Sequence, residues 1–510
     1  MITNLIYKFK NNLKIIFFTS FLLGALSTFS LPPYNFFYIN FFTLSLLFLI
    51  LTNGDKNIFI NFLIGWFFGF GYFLLSLYWI SNSLTFEVQF QKLIPISLIF
   101  IPFFLAIFYG LATMLTLIFK LKKNISSLLL FSSIFGFIEF SRGHLLSGFP
   151  WNLIVYSIES VDLILQILPL IGTYSLNLIV ITLFITPVVA FIKIKLKQKI
   201  IFLSIIFTTI ASMSLLGKFE SKKDISEKKL ETNIKIVSPQ IDIKRYFDNQ
   251  DPELRIRDLI KLSDPIKNEK ALFIFPEGIL SGIYLEDLLN YRYLFKDRFS
   301  NKHKFIFGIS SKKDQKIYNS LILFDNNLNI IDKYDKNNLV PFGEYLPLEN
   351  FLTNFGLKKI TKGYRSFSFS NERDLISLYN IKILPLICYE IIYSGKIKKN
   401  NKDFDIILNI SEDGWFGETI GPYQHFTHSL FRSIEEGKTL LRSANNGISA
   451  VIDPIDGVID SVNLKKKGVI SLNSIKIYNN SLFSIYGNKI FFYLMIFYIS
   501  FIFILKRKDL

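Results

Sequence analysis

The chain has 510 residues, of which 51% are hydrophobic, and a formal net charge of +17. No basic face with interleaved aromatic residues accompanies that charge, so the composition excludes a nucleic-acid-binding protein. It indicates instead a membrane protein that carries a polar insert.

Apolar stretches near the roughly 20 residues that a helix needs to cross a bilayer recur along the chain. The first resembles a signal peptide, with small residues at Ala25 and Ser27, but the apolar stretches after it favour an uncleaved span. We predict about eight spans, at 13–31, 36–52, 57–80, 93–119, 125–141, 164–192, 198–216 and 488–505.

The orientation of these spans follows from lysine and arginine, which short cytoplasmic loops retain. Most of the basic residues in short loops fall on one side of the predicted spans, among them Lys8, Lys120, Lys195 and Arg507. We therefore expect a multi-pass protein of the cell inner membrane with both termini in the cytoplasm and the polar insert in the periplasm.

The composition changes at Lys218, where a charged run begins that continues to Lys229. We predict a transmembrane helical domain over 1–217, a charged linker over 218–232, an extracytoplasmic domain over 233–480, and a C-terminal transmembrane helix with a cytoplasmic tail over 481–510. In the third region, short β-rich runs alternate with helical periods at 254–262, 285–298 and 423–436. This alternation predicts a sheet covered by helices.

Between Leu346 and Ser370, apolar residues such as Phe351 and Phe355 interleave with Lys358 and other basic residues. Such a segment suits a bilayer interface. A solvated loop with a few core anchors explains the same pattern equally well.

Three ionisable residues in the polar insert stand at or near the ends of strand-like runs. Cys388, the only cysteine, ends the run Ile381 to Ile387, Glu277 follows Phe273-Ile-Phe-Pro, and Lys336 opens Lys-Asn-Asn-Leu-Val-Pro-Phe-Gly-Glu344. A thiol needs a base to become a nucleophile, and a cation stabilises the oxyanion formed by attack on a carbonyl.

Each of these residues also has a structural explanation when it is taken alone. Cys388 would be a packed small hydrophobic residue, Glu277 a turn residue, and Lys336 a solvated side chain. In the catalytic reading, Glu277 is the base, while Glu344 and Glu390 hold neighbouring groups.

Polar groups outside this set allow two explanations as well. Glu139 and Arg142, close to Gly148-Phe-Pro-Trp151, indicate either a lipid or lipoprotein site beside a span or simple anchoring of a helix end. His425 and His428 lack metal-ligand spacing, and we interpret them as structural.

Motifs spread over nearly the whole chain match one family. They include Leu31-Pro-Pro-Tyr-Asn35, Gly148-Phe-Pro-Trp151, the three strand-end motifs, Asp413-Gly-Trp-Phe-Gly417, Pro422-Tyr-Gln-His425 and Arg442-Ser-Ala-Asn445. The chain resembles the bacterial apolipoprotein N-acyltransferases, membrane enzymes whose extracytoplasmic domain belongs to the nitrilase superfamily.

The resemblance implies a multi-span helical domain joined to an α/β nitrilase-like αββα sandwich. It implies Glu277 as general base, Lys336 as the oxyanion-stabilising residue and Cys388 as nucleophile, with Glu344, Tyr389 and Glu390 in support. The implied reaction is ping-pong and uses no metal or organic cofactor. A phospholipid, expected to be phosphatidylethanolamine, acylates Cys388, and the α-amine of a diacylated apolipoprotein accepts the acyl group. The family usually acts as a monomer.

Three positions depart from the family pattern and affect the expected lining of the pocket. Ser238 follows Val237 where the family has Gln, Phe247 replaces a Trp near the entrance, and Glu412 replaces the Asn before Asp413. Two other functions stay open at this point. A membrane-tethered amidase or nitrile hydrolase would use water as the second acceptor, and a transporter or scaffold would retain the fold without chemistry.

Overall fold

The computed structural model describes residues 12–54, 56–222, 225–247, 251–349, 366–398 and 403–507. The central part of the predicted interfacial segment, with Phe351, Phe355 and Lys358, lies outside these residues. The chain divides into two compact units, one of residues 1–81, 92–220 and 486–510, the other of residues 82–91 and 221–485.

The first unit is helical. Its longer helices are Leu13–Ser27, Ile39–Thr52, Ile58–Leu77, Ile94–Ile118, Ile125–Arg142, Leu168–Phe184, Leu196–Ser221 and Lys489–Arg507. Within the described residues, seven helical stretches are long and apolar enough to cross a membrane. The chain is therefore a multi-pass membrane protein.

The predicted span at 36–52 differs from the other seven. Its helix, Ile39–Thr52, has 14 residues and begins only after a turn that contains Pro32 and Pro33. At a rise of about 1.5 Å per residue, it extends about 21 Å, which is less than the thickness of the hydrocarbon core.

Glu139 and Arg142 lie at the centre of a buried polar network in this unit. Glu139 accepts hydrogen bonds from Tyr109 at 2.7 Å and Asn177 at 2.6 Å, and its Oε1 lies 3.4 Å from the Arg142 guanidinium. Arg142 also donates to the carbonyl of Phe149 at 2.6 Å. The contacts join three helices and the segment that follows Arg142, and this structural role is more than the anchoring of one helix end.

The second unit contains two six-stranded sheets. The strands are β1 (Ser226–Ser238), β2 (Ala271–Ile274), β3 (His303–Lys313), β4 (Lys316–Asp325), β5 (Ile330–Asp335), β6 (Ile376–Leu378), β7 (Ile381–Ile387), β8 (Ile406–Glu412), β9 (Thr439–Asn445), β10 (Ser449–Asp453), β11 (Gly457–Val462) and β12 (Gly468–Ile477). In the first sheet, the order is β12-β1-β2-β3-β4-β5, and in the second it is β11-β10-β9-β8-β7-β6.

The two sheets face one another, and helices cover their outer faces. The Ser443 hydroxyl on β9 donates to the Val237 carbonyl on β1 at 2.9 Å. Helices Pro252–Ser263, Leu285–Leu288 and Arg292–Arg298 bury apolar side chains against the first sheet, and Gly421–Glu436 packs on the second. The predicted helix-covered α/β architecture is confirmed.

The expected charged linker over 218–232 is much shorter in the structure. The helix that begins at Leu196 continues to Ser221, and β1 starts at Ser226. The charged residues of β1 show no apolar period, but Ser226 to Lys229 pair with β12 in antiparallel register. Backbone pairing with a distant strand therefore gives this segment a β conformation that its side-chain pattern does not predict.

Residues 82–91 also differ from expectation, because they belong to the second unit although they lie within the predicted transmembrane domain. The Asn82 side chain donates to the Trp415 carbonyl at 3.3 Å, and the Phe86 ring meets the Trp415 ring at 5.8 Å. These contacts are long-range in sequence and leave no local signal.

Candidate active site

Three strands deliver the predicted residues to one edge of the sandwich. Lys336 directly follows β5, Cys388 directly follows β7, and Glu277 lies shortly after β2. β2 and β3 run parallel, and the two antiparallel steps from β3 to β5 restore the same direction. The carboxyl ends of β2 and β5 therefore lie at the same edge.

Glu277, Lys336 and Glu344 are in direct contact. The Lys336 Nζ lies 2.9 Å from Oε1 of Glu344 and 3.5 Å from Oε1 of Glu277. The Lys336 side chain is 1% exposed. Because a buried charge is costly without partners, the two carboxylates are what keep the ammonium group stable at this position.

Asn319, in the middle of β4, connects the two carboxylates. Its side-chain Nδ2 donates to Glu277 at 2.7 Å and to Glu344 at 2.8 Å. Its backbone carbonyl accepts from the backbone N–H of Lys336 at 2.9 Å. The sequence does not predict a role for this residue, because an Asn inside a strand pattern carries no motif of its own.

Burial and neighbouring charges set the protonation of this cluster. Burial raises the pKa of Glu277, and the Glu344 charge adds to this, while Lys336 acts in the opposite direction. Burial alone would lower the pKa of Lys336, but the carboxylates of Glu344 and Glu277 outweigh it and raise that pKa. The cluster thus combines a permanent cation with a carboxylate that is a stronger base than usual.

Cys388 occupies a strained turn at the end of β7. Its φ is +50°, a left-handed conformation that non-glycine residues rarely adopt and that is common at functional sites. Cys388 is buried, with 8% of its surface exposed to solvent. Burial, followed by the charge of Glu277, raises the pKa of the thiol, while Lys336 lowers it. In the free protein the sulfur is therefore a neutral thiol, and the charges of Glu277 and Lys336 both influence its pKa.

Glu390 does not join the Glu277 cluster. It accepts a hydrogen bond from the Ile387 N–H at 2.9 Å, another from the Asn337 N–H at 2.9 Å, and forms an ion pair of 2.6 Å with Arg373. One carboxylate thus connects the residue before Cys388 with the residue after Lys336. The neighbouring Tyr389 packs its ring edge-on against Tyr393 at 5.4 Å.

A second buried chain of polar residues lies behind Cys388. His425 Nε2 is 3.3 Å from the Cys388 carbonyl, and Nδ1 is 2.8 Å from Asp413, which also pairs with Arg442 at 2.8 Å. Burial lowers the pKa of His425, whereas the charge of Asp413 acts in the opposite direction. The interpretation of His425 as structural did not predict that it would lie beside Cys388. The motif Pro422-Tyr-Gln-His425, which follows the motif of Trp415 in the chain, was the available indication.

Aromatic rings form one wall near Glu277. Trp415 lies 5.2 Å from Tyr246 and 5.8 Å from Phe86, and Phe86 stacks on Phe247 at 6.1 Å. Phe247 is the residue that replaces the expected Trp. Among the described residues, no group of three or more His, Cys, Asp or Glu side chains has a metal-binding arrangement.

Comparisons with known proteins match both halves of the sequence. Residues 23–185 match the family model of the apolipoprotein N-acyltransferase N-terminal domain, and residues 254–473 match that of carbon-nitrogen hydrolases. A solved CN-hydrolase superfamily protein from Xanthomonas campestris matches at a TM-score of 0.35 and 16% identity, over 48% of this chain and 90% of that one.

Curated relatives match over nearly their whole length. The apolipoprotein N-acyltransferase of Rickettsia prowazekii (strain Madrid E) is 33% identical, over 92% of this chain and 94% of the relative. That of Rhizobium rhizogenes (strain K84) is 31% identical, over 91% and 90%.

Proposed function

Because the chain belongs to the apolipoprotein N-acyltransferase family, we propose that it acylates the α-amine of the N-terminal diacylglyceryl-cysteine of lipoproteins. The acyl chain comes from a membrane phospholipid and passes through a thioester on Cys388. The observation that carries this proposal is the buried contact of Lys336 with both Glu277 and Glu344, at the edge where β7 ends in Cys388.

In the first half-reaction, Glu277 takes the proton of the Cys388 thiol as the sulfur attacks the ester carbonyl of the phospholipid. The raised pKa of Glu277 suits it to this role, since a general base works best when its pKa approaches the working pH. Glu277 then gives the proton to the departing glycerol oxygen. The products are the thioester and a lysophospholipid.

Lys336 is the residue that stabilises the oxyanion of each tetrahedral intermediate. Its ammonium is already held by two carboxylates, so little reorganisation accompanies the appearance of the negative charge. Glu344 fixes this ammonium, and Glu390 fixes the backbone directly before the nucleophile and directly after the cation.

In the second half-reaction, the neutral α-amine of the acceptor attacks the thioester carbonyl. Glu277 accepts the proton that the nitrogen loses, the C–S bond breaks, and the proton returns to the Cys388 sulfur. The amide product and the free thiol restore the starting enzyme. Each step balances without a further reactant.

We place the catalytic unit in the periplasm and the helical unit in the cell inner membrane. The supporting argument is the concentration of Lys and Arg in the short loops on one side of the spans. On this topology the active site faces the compartment to which lipoproteins are exported. The donor is proposed to be phosphatidylethanolamine and the acting species a monomer.

The direct test is the mass of the purified enzyme after incubation with phosphatidylethanolamine vesicles. We expect a gain of one acyl chain that neutral hydroxylamine removes and that a diacylated lipopeptide discharges as an amide. The control is Cys388→Ser, which should stay folded and gain no hydroxylamine-sensitive mass.

Two results would contradict the proposal. Transfer to the lipopeptide by Cys388→Ser would remove Cys388 from the mechanism. Release of free fatty acid at the same rate with and without lipopeptide would identify a hydrolase rather than a transferase.

A further inference from the structure

Arg245 and Glu412 form a buried ion pair beside Glu277, and neither residue has a role in the reaction above. Both side chains are 1% exposed. An isolated charge at such a depth is costly, and the pair is stable only because each residue neutralises the other.

The backbone of Glu412 touches the catalytic carboxylate directly. Its N–H donates a hydrogen bond of 3.0 Å to Oε2 of Glu277. Among the described residues, Asn319 and Lys336 contact the other oxygen of this carboxylate, Oε1. The position of the 412 peptide therefore determines how one of the two carboxylate oxygens is held.

Arg245 binds the residue that directly follows Glu277. Its Nε and Nη2 donate to the Gly278 carbonyl at 3.3 Å and 3.2 Å. The Ser281 hydroxyl donates to the Arg245 carbonyl at 2.8 Å, and the guanidinium lies 4.6 Å from the Tyr246 ring centroid. The planar fork of an Arg makes several such contacts at once, which a Lys cannot.

The Glu412 side chain is held equally firmly. Its carboxylate accepts from the Gly414 N–H at 2.8 Å, from Asn445 at 2.8 Å and from Asn446 at 3.1 Å, besides Arg245. The ion pair thus connects a well-fixed turn, which presents the 412 N–H, to the peptide that follows Glu277.

We propose that Arg245 and Glu412 are positioning residues for the general base, a clamp that acts through two contacts, the Gly278 carbonyl held by Arg245 and the 412 N–H that binds Glu277. This inference rests on the proposed function. A base that gives and takes a proton in each half-reaction must keep its distance to the sulfur, and a displacement of about 1 Å is enough to cost about 100-fold in rate.

The Arg245–Glu412 pair has no net charge, so the loss of either residue alone leaves an unbalanced charge near Glu277. The charged and titratable groups that face Glu277 are Lys336, Glu344, Cys388 and Tyr246, besides Arg245 and Glu412. Arg245→Met leaves a lone negative charge near the base, which makes the base harder to deprotonate. Glu412→Gln leaves a lone positive charge, which has the opposite effect.

The experiment measures the rate of thioester formation against pH in the full-length enzyme, with phosphatidylethanolamine vesicles as donor. We expect each single substitution to lower the rate by about 10-fold to 100-fold. The acid limb is the part of the pH profile in which the rate rises with pH as Glu277 loses its proton. It should move to higher pH in Arg245→Met and to lower pH in Glu412→Gln. The double variant, Arg245→Met with Glu412→Gln, should return the limb to its original place because the site is again neutral. Its rate should stay at least about tenfold below that of the parent, since the contacts that position Glu277 are still lost.

Arg257→Met is the matched control. Arg257 pairs with Glu253 in the same unit, but their side chains are 56% and 31% exposed, and such surface pairs contribute little. We expect its rate and its pH profile to equal those of the parent enzyme. Arg245→Lys serves if the Met variant does not fold, because it keeps the charge and loses the fork. Its rate should fall while its acid limb stays in place.

Several results would overturn the inference. Folded single variants with unmoved limbs, a folded double variant as fast as the parent, or an Arg245→Lys enzyme as fast as the parent would each show that the pair serves only stability. Failure of the parent enzyme itself to form a thioester would count against the proposed function instead, so the two failures are distinguishable.

Discussion

Lys336 and Glu344 form a buried ion pair, with 2.9 Å between Nζ and Oε1, although they are only eight positions apart in the chain. Glu344 is a second carboxylate, so the ammonium keeps a partner even while Glu277 carries a proton. This arrangement separates two tasks that a single carboxylate would have to combine. In the proposed mechanism, Glu277 is then free to exchange its proton while Lys336 stays charged and in place throughout the cycle.

The first prediction concerns Glu344→Gln. The loss of the Glu344 carboxylate leaves Lys336 paired with Glu277 alone. It also removes the negative charge that helps to raise the pKa of Glu277. We expect thioester formation to slow by about 10²-fold to 10³-fold, as for the loss of an oxyanion-stabilising group, and the acid limb to move to lower pH. The exposed Glu349→Gln is the control. A Glu344→Gln enzyme with the parent's rate would refute the separation of tasks.

The pH dependence of the parent enzyme gives a second prediction. Glu277 must be deprotonated to accept the thiol proton, and burial raises its pKa above the ordinary value of 4.5. The rate of thioester formation should therefore rise with pH through an inflection above 4.5 and be lost as the pH falls below it. The pKa of Cys388 and that of Lys336 are both raised, so neither group should cause a decline in rate at neutral pH. An inflection at 4.5 or lower would contradict the assignment of Glu277.

A third prediction uses two glycines close together in the chain. Gly278 and Gly282 both have positive φ, at +58° and +84°, so an Ala costs backbone strain of about 1–2 kcal/mol at either site. A Cβ at Gly278 would lie 1.9 Å from the Tyr246 hydroxyl, whereas nothing lies within 4 Å at Gly282. We expect Gly278→Ala to lose thioester formation and Gly282→Ala to keep it, measured on protein with an intact thermal transition. Equal activities would show that Tyr246 moves aside freely.

The buried network of the helical unit leads to a fourth prediction. Glu139→Gln removes the only carboxylate in contact with the Arg142 guanidinium among the described residues, and breaking a buried pair costs about 3–5 kcal/mol. We expect a clearly lower midpoint of thermal unfolding in detergent. Asp162→Asn, an exposed change at the start of a short helix, is the control. A loss no larger than that of Asp162→Asn would show that the network does not stabilise the unit.

Local patterns in the sequence predicted the elements that carry the site. The run from Ile381 to Ile387 is a strand with those bounds, and the helical period at 423–436 corresponds to the helix Gly421–Glu436. These predictions succeed because an apolar run or a helical period is a property of neighbouring residues. The same reasoning missed β9, which is fully buried but contains Arg442 and Asn445, because its polar side chains are satisfied by partners far away in the chain.

The sequence by itself determined the chemical types of the three site residues, their places at strand ends, and the apolar stretches that form the membrane helices. Only the tertiary structure decided which groups surround them, since Asn319 reaches Glu277 across 42 residues and the 412 N–H reaches it across 135. The physical reason is that a strand end is set by local backbone preferences. The neighbours of a side chain at that end are set by the order and register of the sheets, which no local pattern encodes.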